Sequence, residues 1–587
     1  MKAIFNSVRG AALLLLATIL VSCGGGSSTT PTPPTPPDTQ SAYYIDADSG
    51  SDLNTGFNST SAWKSLAQIA AAPVPAGSTI YLKRGSVWYE QLTLPDSLIT
   101  IDAYGDSALS LPRIDGSRLV GSWTDEGGGI YSAAVTLAAD EGLGNLSVGG
   151  VMMPFLAWDT DAATTFASAA DGTFSYRYPD TLFIKSAAAP SGVYRASVKF
   201  FGITAEARSD IIVRNVETRR FSLHGINFKD CLRCEVHGAV VSQGGGATIA
   251  AGLYAGNGIE FGNNSSNGLV DGAVVGDIFD SGISPQTYAS NKTLSSITIK
   301  NSTIDKCGFA GVEVSVLSNG GTTGSSITGL TLSGLTITNA GKGWSGRRYG
   351  SEGNGIRIKA DAGAGTMSNV QIDTTTVDGA AWHGIVLAGE IGTVNLHRMN
   401  IKNNGLDGIA LDESSATGLK LHLTSSLVHD NGLYGFVYDS LTADGFELYQ
   451  NTFSNNAGAN LAVVNTQNTA SKKVQNNLFY GSTRQIWSLG GLDGGVIDNN
   501  CYNNFANMFM FSFVAYNTVE AFHTAYSAYE TSGAGGTVGL TDTVTGDFSL
   551  SSGSVCKTLG NASVGVTTDY SGSPFANPPS SGAYQYH

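Results

Sequence analysis

From residue 221 onward one phrase recurs: HGINFK, NGIEFG, SGISPQ, AGVEVS, NGIRIK, HGIVLA, DGIALD and YGFVYD. Its glycines are Gly225, Gly258, Gly282, Gly311, Gly355, Gly384, Gly408 and Gly435, in steps of 33, 24, 29, 44, 29, 24 and 27 residues. A second phrase interleaves with it: VQIDTTTVDG, VNLHRMNIKNNG, LHLTSSLVHDNG and FELYQNTFSNNAG. These begin at Val370, Val394, Leu421 and Phe446, in steps of 24, 27 and 25. Short strands of period 2, broken by Gly and Asn and repeating at about 25 residues, describe a solenoid of β coils. Asn and Gly suit its corners, where left-handed backbone is needed. A leucine-rich repeat would need L-x-x-L-x-L, which is missing, and a left-handed helix of about 18 residues per coil has the wrong period. An all-β, right-handed parallel β-helix remains.

A repeat architecture carries 587 residues as one body. The composition agrees: 75 glycines and only 13% charged residues suit turns and strands better than helix surfaces. A net charge of −15 and a pI near 4.9 exclude general binding to nucleic acid or to an anionic membrane surface.

The N-terminus is a targeting segment. MKAIFNSVRGAALLLLATILVSC sets Lys2 and Arg9 before an apolar core too short for a membrane span, then a small-residue cleavage region. LVSC resembles the lipobox of bacterial lipoproteins, which implies cleavage before Cys23 and acylation of its sulfur. By the same resemblance, Gly24 in place of Asp implies delivery to the outer membrane or cell surface. A plain signal peptide is the alternative. The next stretch, GGGSSTTPTPPTPPDTQ, holds five of the 16 prolines and cannot bury a core, so it is a tether. The organisation expected is therefore a signal peptide over 1–22, a lipidated tether over 23–40, and one β-helix domain over 41–587. Within it lie cap and first coils (41–110), elaborated coils with long loops (111–200), regular coils (201–500) and closing coils (501–587). Five cysteines follow Cys23, namely Cys231, Cys234, Cys307, Cys501 and Cys556, an odd number that cannot all pair. CLRC at 231–234 lacks the helix N-terminus that activates a thiol, so buried cysteines or one local disulfide are expected there.

YYIDADSGSDLNTGFNSTSAWKSLAQI (43–69), AGSTIYLKRGSVWYEQLTL (76–94), GDFSLSSGS (546–554) and GAYQY (582–586) complete the pattern. With the coils, they make the chain resemble the pectin-lyase-like superfamily of right-handed β-helix proteins over most of its mature length. The resemblance implies a capping helix, a first coil and a closing coil; it is nearly silent on reaction. A cap has a physical reason, since an uncovered end coil exposes strand edges. Asp46, Asp48 and Asp52 have a spacing that could hold calcium, but no bidentate Glu closes the loop, and a solvated turn is the expectation.

Aligning the coils on their glycine sorts the side chains. Residues one and three after Gly point inward and are almost all apolar, as in Val312/Val314, Ile356/Ile358 and Ile385/Leu387. The first outward column reads Asn227, Glu260, Ser284, Glu313, Arg357, then Val386, Ala410, Val437. The second reads Lys229, Gly262, Gln286, Ser315, Lys359, then Ala388. Five coils carry polar or ionisable groups on one face, and then the face turns apolar. A merely solvated sheet has no reason to stop so sharply.

The 44-residue coil adds Lys342, Arg347, Arg348, Arg357 and Lys359 against one acid, Glu352, a local charge reversal that attracts an anionic ligand. Trp344 and Tyr349 offer faces for sugar stacking, or for loop packing. His224 and His383 flank the polar face just before the glycine. GIRIK resembles the R-I-K segment of polygalacturonases, but their aspartates are absent and WHGI follows RIK, so that mechanism is not carried over. The D-P-H-E signature of β-helix mannuronan epimerases is missing too.

The expectation is a surface-anchored polysaccharide lyase acting on an acidic, uronate-containing glycan. Lys359 is the candidate base, or else His383. Arg357 and Arg348 would neutralise the substrate carboxylate, and Glu313 would hold Arg357. Lys229, Gln286, Trp344, Arg347, Arg348 and Tyr349 would bind substrate, with Glu260 and Gln286 alternatively taking Ca²⁺. The first rival is an inverting glycosidase. Glu260 and Glu313 lie two coils apart, about 10 Å at the backbone, and side-chain lean could bring them to the separation such enzymes use. The second rival is a non-catalytic glycan-binding or adhesive lipoprotein. A structural charge ladder from Glu313 to Arg357 would also account for that pair. The partners expected are an acidic polysaccharide and, through lipid alone, a membrane; the chain is expected to be a monomer.

Overall fold

The computed structural model describes residues 41–587 except 73, 159–165, 251–252, 319–320, 345–351, 413–417, 441, 466–470, 491, 493 and 504–507. Residues 41–587 form one compact unit. The chain passes repeatedly through three long sheets, and its first coil to visit all three does so at Thr79–Lys83, Val87–Trp88 and Leu92–Thr93. Sheet one runs from Ala42–Ile45 to Val496–Asp498, sheet two to Ala534–Gly536, and sheet three to Val514–Tyr516. Pairing between coils is parallel throughout sheets one and two; in sheet three only the terminal hairpin, Phe509–Phe511 with Val514–Tyr516, is antiparallel. A right-handed crossover is what twisted parallel strands favour.

The inward alternation forms one continuous core: Val312, Val314, Ile356, Ile358, Ile385 and Leu387 are all fully buried. Corners between sheets one and two hold left-handed residues in file, including Asn215 (φ 52°), Asn301 (φ 51°) and Asn476 (φ 60°). Thr374 and Arg398 take the same conformation, so stacking on neighbouring coils overrides residue preference there.

The repeat glycines answer a different need. Gly355 lacks a positive φ, but a Cβ on it would stand 2.1 Å from Val377 Cγ1 and 2.6 Å from the Gly384 carbonyl oxygen. Sheet two and the next coil crowd this position, so only hydrogen fits.

Residues 111–200, expected as elaborated coils with long loops, hold one coil strand, Arg113–Asp115, and then an insertion of two small sheets, antiparallel except where Phe155–Trp158 pairs with Phe174–Arg177. Four strands pair in one small sheet and five in another, the latter including the hairpin Thr124–Gly127 with Ile130–Ala134. Leu146, Phe174, Tyr176, Leu182 and Ile184 form its own core. Antiparallel pairs need only tight turns, so the coil period disappears.

Two disulfides are present, Cys231–Cys234 and Cys501–Cys556, and Cys307 is free and buried. At the far end the helix Val519–Ala525 lays Phe522 on Phe509, ring centroids 4.2 Å apart. The capping helix of the first end is a single turn, Gln68–Ala71. Asp48 and Asp52 are exposed in turns, as expected, whereas Asp46 is buried, and all three have protein partners. Asp46 accepts from the Asp48 and Ser49 amides and pairs with Lys83 at 2.6 Å, Asp48 accepts from Ser86 Oγ, and Asp52 accepts from the Lys64 and Ser65 amides.

An asparagine file runs along the core, Asn451 to Asn477 to Asn500, and ends on Glu530, whose Oε1 accepts from Asn500 Nδ2 at 2.8 Å. Burial, with the charge of Asp498 adding, pushes the Glu530 carboxyl up to about 8, against opposing hydrogen bonds from Tyr502 and Asn500. The folded state therefore keeps a proton that the unfolded chain releases above its ordinary 4.5. This contribution is complete below that value and is lost as pH rises towards about 8. Glu530→Gln is expected to flatten the fall in thermal midpoint across that window in scanning calorimetry. Parallel pH profiles for the two proteins would refute it.

Candidate functional site

Sheet three places the sequence columns in register. Asn227 pairs with Glu260 and Glu260 with Ser284; Glu313 pairs with Arg357, and Arg357 with Val386. Lys229, Gly262, Gln286, Ser315, Lys359 and Ala388 follow each other in the same way. A third outward column, immediately before the repeat glycine, completes the face. It carries His224, Asn257, Ser281, Ala310, Asn354, His383 and Asp407, and it supplies His224 and Asn257 to Glu260 and Ser281 to Glu313.

Glu260 is only 1% exposed although it points out of the coil. Its Oε2 accepts from Asn257 Nδ2 at 3.0 Å and Gln286 Nε2 at 2.9 Å, and lies 3.1 Å from His224 Nε2. His224 Nδ1 accepts the Asn257 amide at 3.1 Å, so the ring proton sits on Nε2 and is donated to Glu260. Burial lowers the His224 pKa, with the Glu260 charge pulling the other way, and the imidazole is neutral. Tyr288 also bonds Glu260. Burial first, then that carboxylate's charge, holds its hydroxyl well above the usual range, so it remains a donor. Four side-chain donors thus converge on one carboxylate.

Glu313, 5% exposed, accepts from Ser281 Oγ at 3.0 Å, Ser315 Oγ at 2.8 Å and Arg357 Nη1 at 3.2 Å. Arg357 Nη1 also donates to Ser315 Oγ, and its guanidinium carbon stands 5.1 Å from the centre of the Phe309 ring. The charge ladder between adjacent coils is therefore real, and it is largely buried.

Lys359 and Lys229 reach nearer to solvent than the two glutamates and are each paired with another acid. Lys359 Nζ lies 3.3 Å from Asp361 Oδ1, with 39% of its side chain exposed. Burial raises the Asp361 pKa, but hydrogen bonds from Ser318 and the charge of Lys359 outweigh it, and the net shift is downward. Lys229 pairs with Glu206 at 2.5 Å, a carboxylate with 61% of its side chain exposed.

Residues 296–479 match the family described as the right handed β-helix region. The fold is a right-handed parallel β-helix. No curated protein matches the chain. Among solved structures the β-helix is similar to the complex of XylC with xylose, at 12% identity, covering 79% of this chain and 83% of that one, with a TM-score of 0.46. It is similar to pectate lyase Pel9A at 12% identity over 94% and 97% of the two chains, TM-score 0.41. The GH136 lacto-N-biosidase from Eubacterium ramulus follows at 11% identity over 79% and 64%, TM-score 0.32. No residue role passes to this β-helix from such distant likenesses.

The structure separates several residues that the sequence had grouped. Trp344 is not a free stacking face: its indole donates to the Gly244 carbonyl at 2.9 Å, and its ring packs on Phe155, Phe174 and Phe279. It pins the insertion to the coils. Arg347, Arg348 and Tyr349 lie outside the described residues. His383 Nδ1 stands 3.1 Å from Asp407 Oδ2, off the line of a good hydrogen bond, and its ring meets Trp382 edge-on. Asp407 is itself buried and accepts the Tyr434 amide. Gln286 turns its amide nitrogen towards Glu260. Among the described residues, no group of three or more His, Cys, Asp and Glu is placed to hold a metal ion. A cleft of about 520 Å³ lined by Arg118, Val120 and Leu137 belongs to the insertion and holds none of these groups.

Proposed function

We propose that this chain is a carbohydrate-active β-helix protein that binds an acidic, uronate-containing glycan on sheet three and cleaves it by β-elimination. One observation carries the reading: the two glutamates beside Gln286 and Arg357 are buried, while Lys359 stands nearer solvent. Glu260 and Glu313 are 1% and 5% exposed, while the Lys359 side chain is 39% exposed. A glycan lying there meets Lys359, Gln286 and the edge of Arg357 before it meets Glu260 or Glu313.

In the proposed reaction Lys359 first passes its own proton to water and then takes the proton from C5 of the uronate. The electron pair forms the C4–C5 double bond, the C4–O bond breaks, and the departing oxygen takes a proton from water. Arg357 steadies the charge gathering on the substrate carboxylate. Glu313 orients Arg357, and Glu260 orients Gln286, His224 and Tyr288. Lys359's ion pair is exposed, and such pairs are worth at most about 1 kcal/mol, so substrate can displace Asp361. Inverting hydrolysis by Glu260 and Glu313 would need both buried carboxyls to reach sugar and water, which the packing over them opposes.

The assay incubates the mature protein with acidic and neutral polysaccharides and follows ultraviolet absorbance and reducing ends together. Elimination raises both; hydrolysis raises reducing ends alone and would overturn the proposal, as would retention on glycan with neither signal.

Export as a lipoprotein is proposed from Cys23. Cys23→Ser is expected to abolish radiolabelled lipid incorporation and move the protein from the membrane pellet to the soluble fraction outside the inner membrane. Unchanged fractionation with membranes would sink the assignment.

A further inference from the structure

Beyond Arg357 the first outward column turns apolar: Val386, Ala410, Val437 and Ala462 form a covered cluster of their own, edged by Tyr434 and Trp487. The column before the glycine runs from Tyr434 to Ala459, and Arg484 follows one coil on. Two coils separate Tyr434 from Trp487 along the sheet, yet their rings stand 5.5 Å apart. They close over two alanines, Ala459 and Ala462, both fully buried beneath.

Arg484 is half-buried, and its Nε meets no hydrogen-bond partner. Among the described residues its guanidinium makes no hydrogen bond or ion pair, whereas Arg113, Arg118, Arg220, Arg233, Arg357 and Arg398 each hold a carboxylate. It lies close enough to Tyr434 for its charge to lower that phenol's pKa, although burial dominates and the net shift is upward. Tyr and Trp carry polar tips that find partners when buried. Here the Tyr434 hydroxyl and the Trp487 indole N–H meet none among the described residues, and both rings are only half-buried.

From these placements we infer that Tyr434, Arg484 and Trp487 form a second subsite, which holds an acidic sugar of the glycan chain bound at Arg357 and Lys359. The ring pair offers an apolar face with two free donors, and Arg484 offers a forked donor that matches a carboxylate. Trp487 stands in the same column as Arg357, five coils on: Arg357, Val386, Ala410, Val437, Ala462, Trp487. At ~4.8 Å per coil the two points are about 24 Å apart along the sheet. Only a ligand of several sugar units spans that distance, so the substrate is a polymer read from two points, not a short oligosaccharide. This deepens the proposed function and rests on its substrate class, but not on the chemistry at Lys359.

Retention of the mature protein on polygalacturonate and on alginate, measured by affinity electrophoresis, tests the subsite without requiring turnover. Trp487→Ala and Arg484→Ala are each expected to weaken retention on the long polymers roughly tenfold. Binding of a disaccharide from the same polymer should stay unchanged, Trp487→Phe should keep most of the affinity, and Arg484→Ala should reduce its salt dependence. Circular dichroism checks that each variant is folded. Retention of wild type without cleavage, lost in Trp487→Ala, supports the subsite while overturning elimination. Equal retention of wild type and variants overturns the subsite, as does equal loss for disaccharide and polymer. No retention of wild type on either acidic polymer overturns the subsite and the substrate class together.

Discussion

Ile356→Asp should cost the β-helix at least about 4 kcal/mol. Ile356 is fully buried and pairs with Val312 on one side and Ile385 on the other. The carboxylate would lie between those two coils, with no cation in the file of inward side chains around it. Lost packing and desolvation both count against it, and the bulk of Asp is too small to fill the site. Lys359→Ala, three residues along and outward, should cost less than about 1 kcal/mol, because its ion pair is exposed. Arg357 is the instructive case. By its outward register alone its removal should be nearly neutral, but the structure shows it bound to a Glu313 that is 5% exposed. Arg357→Ala leaves that carboxylate with two serine donors and no cation, which should cost on the order of 2 kcal/mol. Adding Glu313→Gln should recover most of it. Urea denaturation followed by circular dichroism ranks the four proteins. Equal destabilisation by Ile356→Asp and Lys359→Ala would mean that the strand register is wrong.

The largest effect on activity is expected from Lys359→Ala. Removing a positioned base lowers rates by roughly 10²–10⁴-fold. With the fold intact, the ultraviolet signal from an acidic glycan should vanish to that extent, while retention on the same glycan weakens only modestly. Arg357→Ala should lower turnover comparably and add the stability loss above, so its thermal midpoint has to be read beside its rate. Glu260→Ala should act through its donors, loosening Gln286, His224 and Tyr288 and weakening binding more than turnover. If Glu260→Ala and Glu313→Ala prove nearly inactive while Lys359→Ala keeps its rate, hydrolysis replaces elimination as the reading. An active Arg357→Ala/Lys359→Ala double variant would remove this part of the face from the chemistry altogether.

Most of the architecture was legible because a coil is a local object. The spacing of Gly355 and Gly384 with the alternation of Ile356, Arg357, Ile358 and Lys359 specified a strand, its inward face and its neighbours, and every one of those pairings is present. The glycine itself was legible but misread. It answers the crowding of Val377 and the next coil's carbonyl, contacts between segments that sequence periodicity cannot show. The candidate face was half legible. Its two polar columns could be written down from the repeat, while the third, with Asn257 and Ser281, emerged only when the partners of Glu260 and Glu313 were seen.

By itself, then, the sequence determined the repeat, the register and the sidedness of each strand, since these follow from a period of 2 within a period near 25. Exposure was decided only by the tertiary structure. An outward Glu260 becomes a buried carboxylate because His224, Asn257, Gln286 and Tyr288, from three successive coils, come together to cover it. Trp344, equally polar-tipped and aromatic in the sequence, is drawn into packing by an insertion whose nearest contacting residue, Phe174, lies far from it along the chain. Trp487 meets no such neighbour among the described residues. Which outward side chain remains available to a ligand depends on contacts between segments distant in sequence, and those belong to the folded coil stack alone.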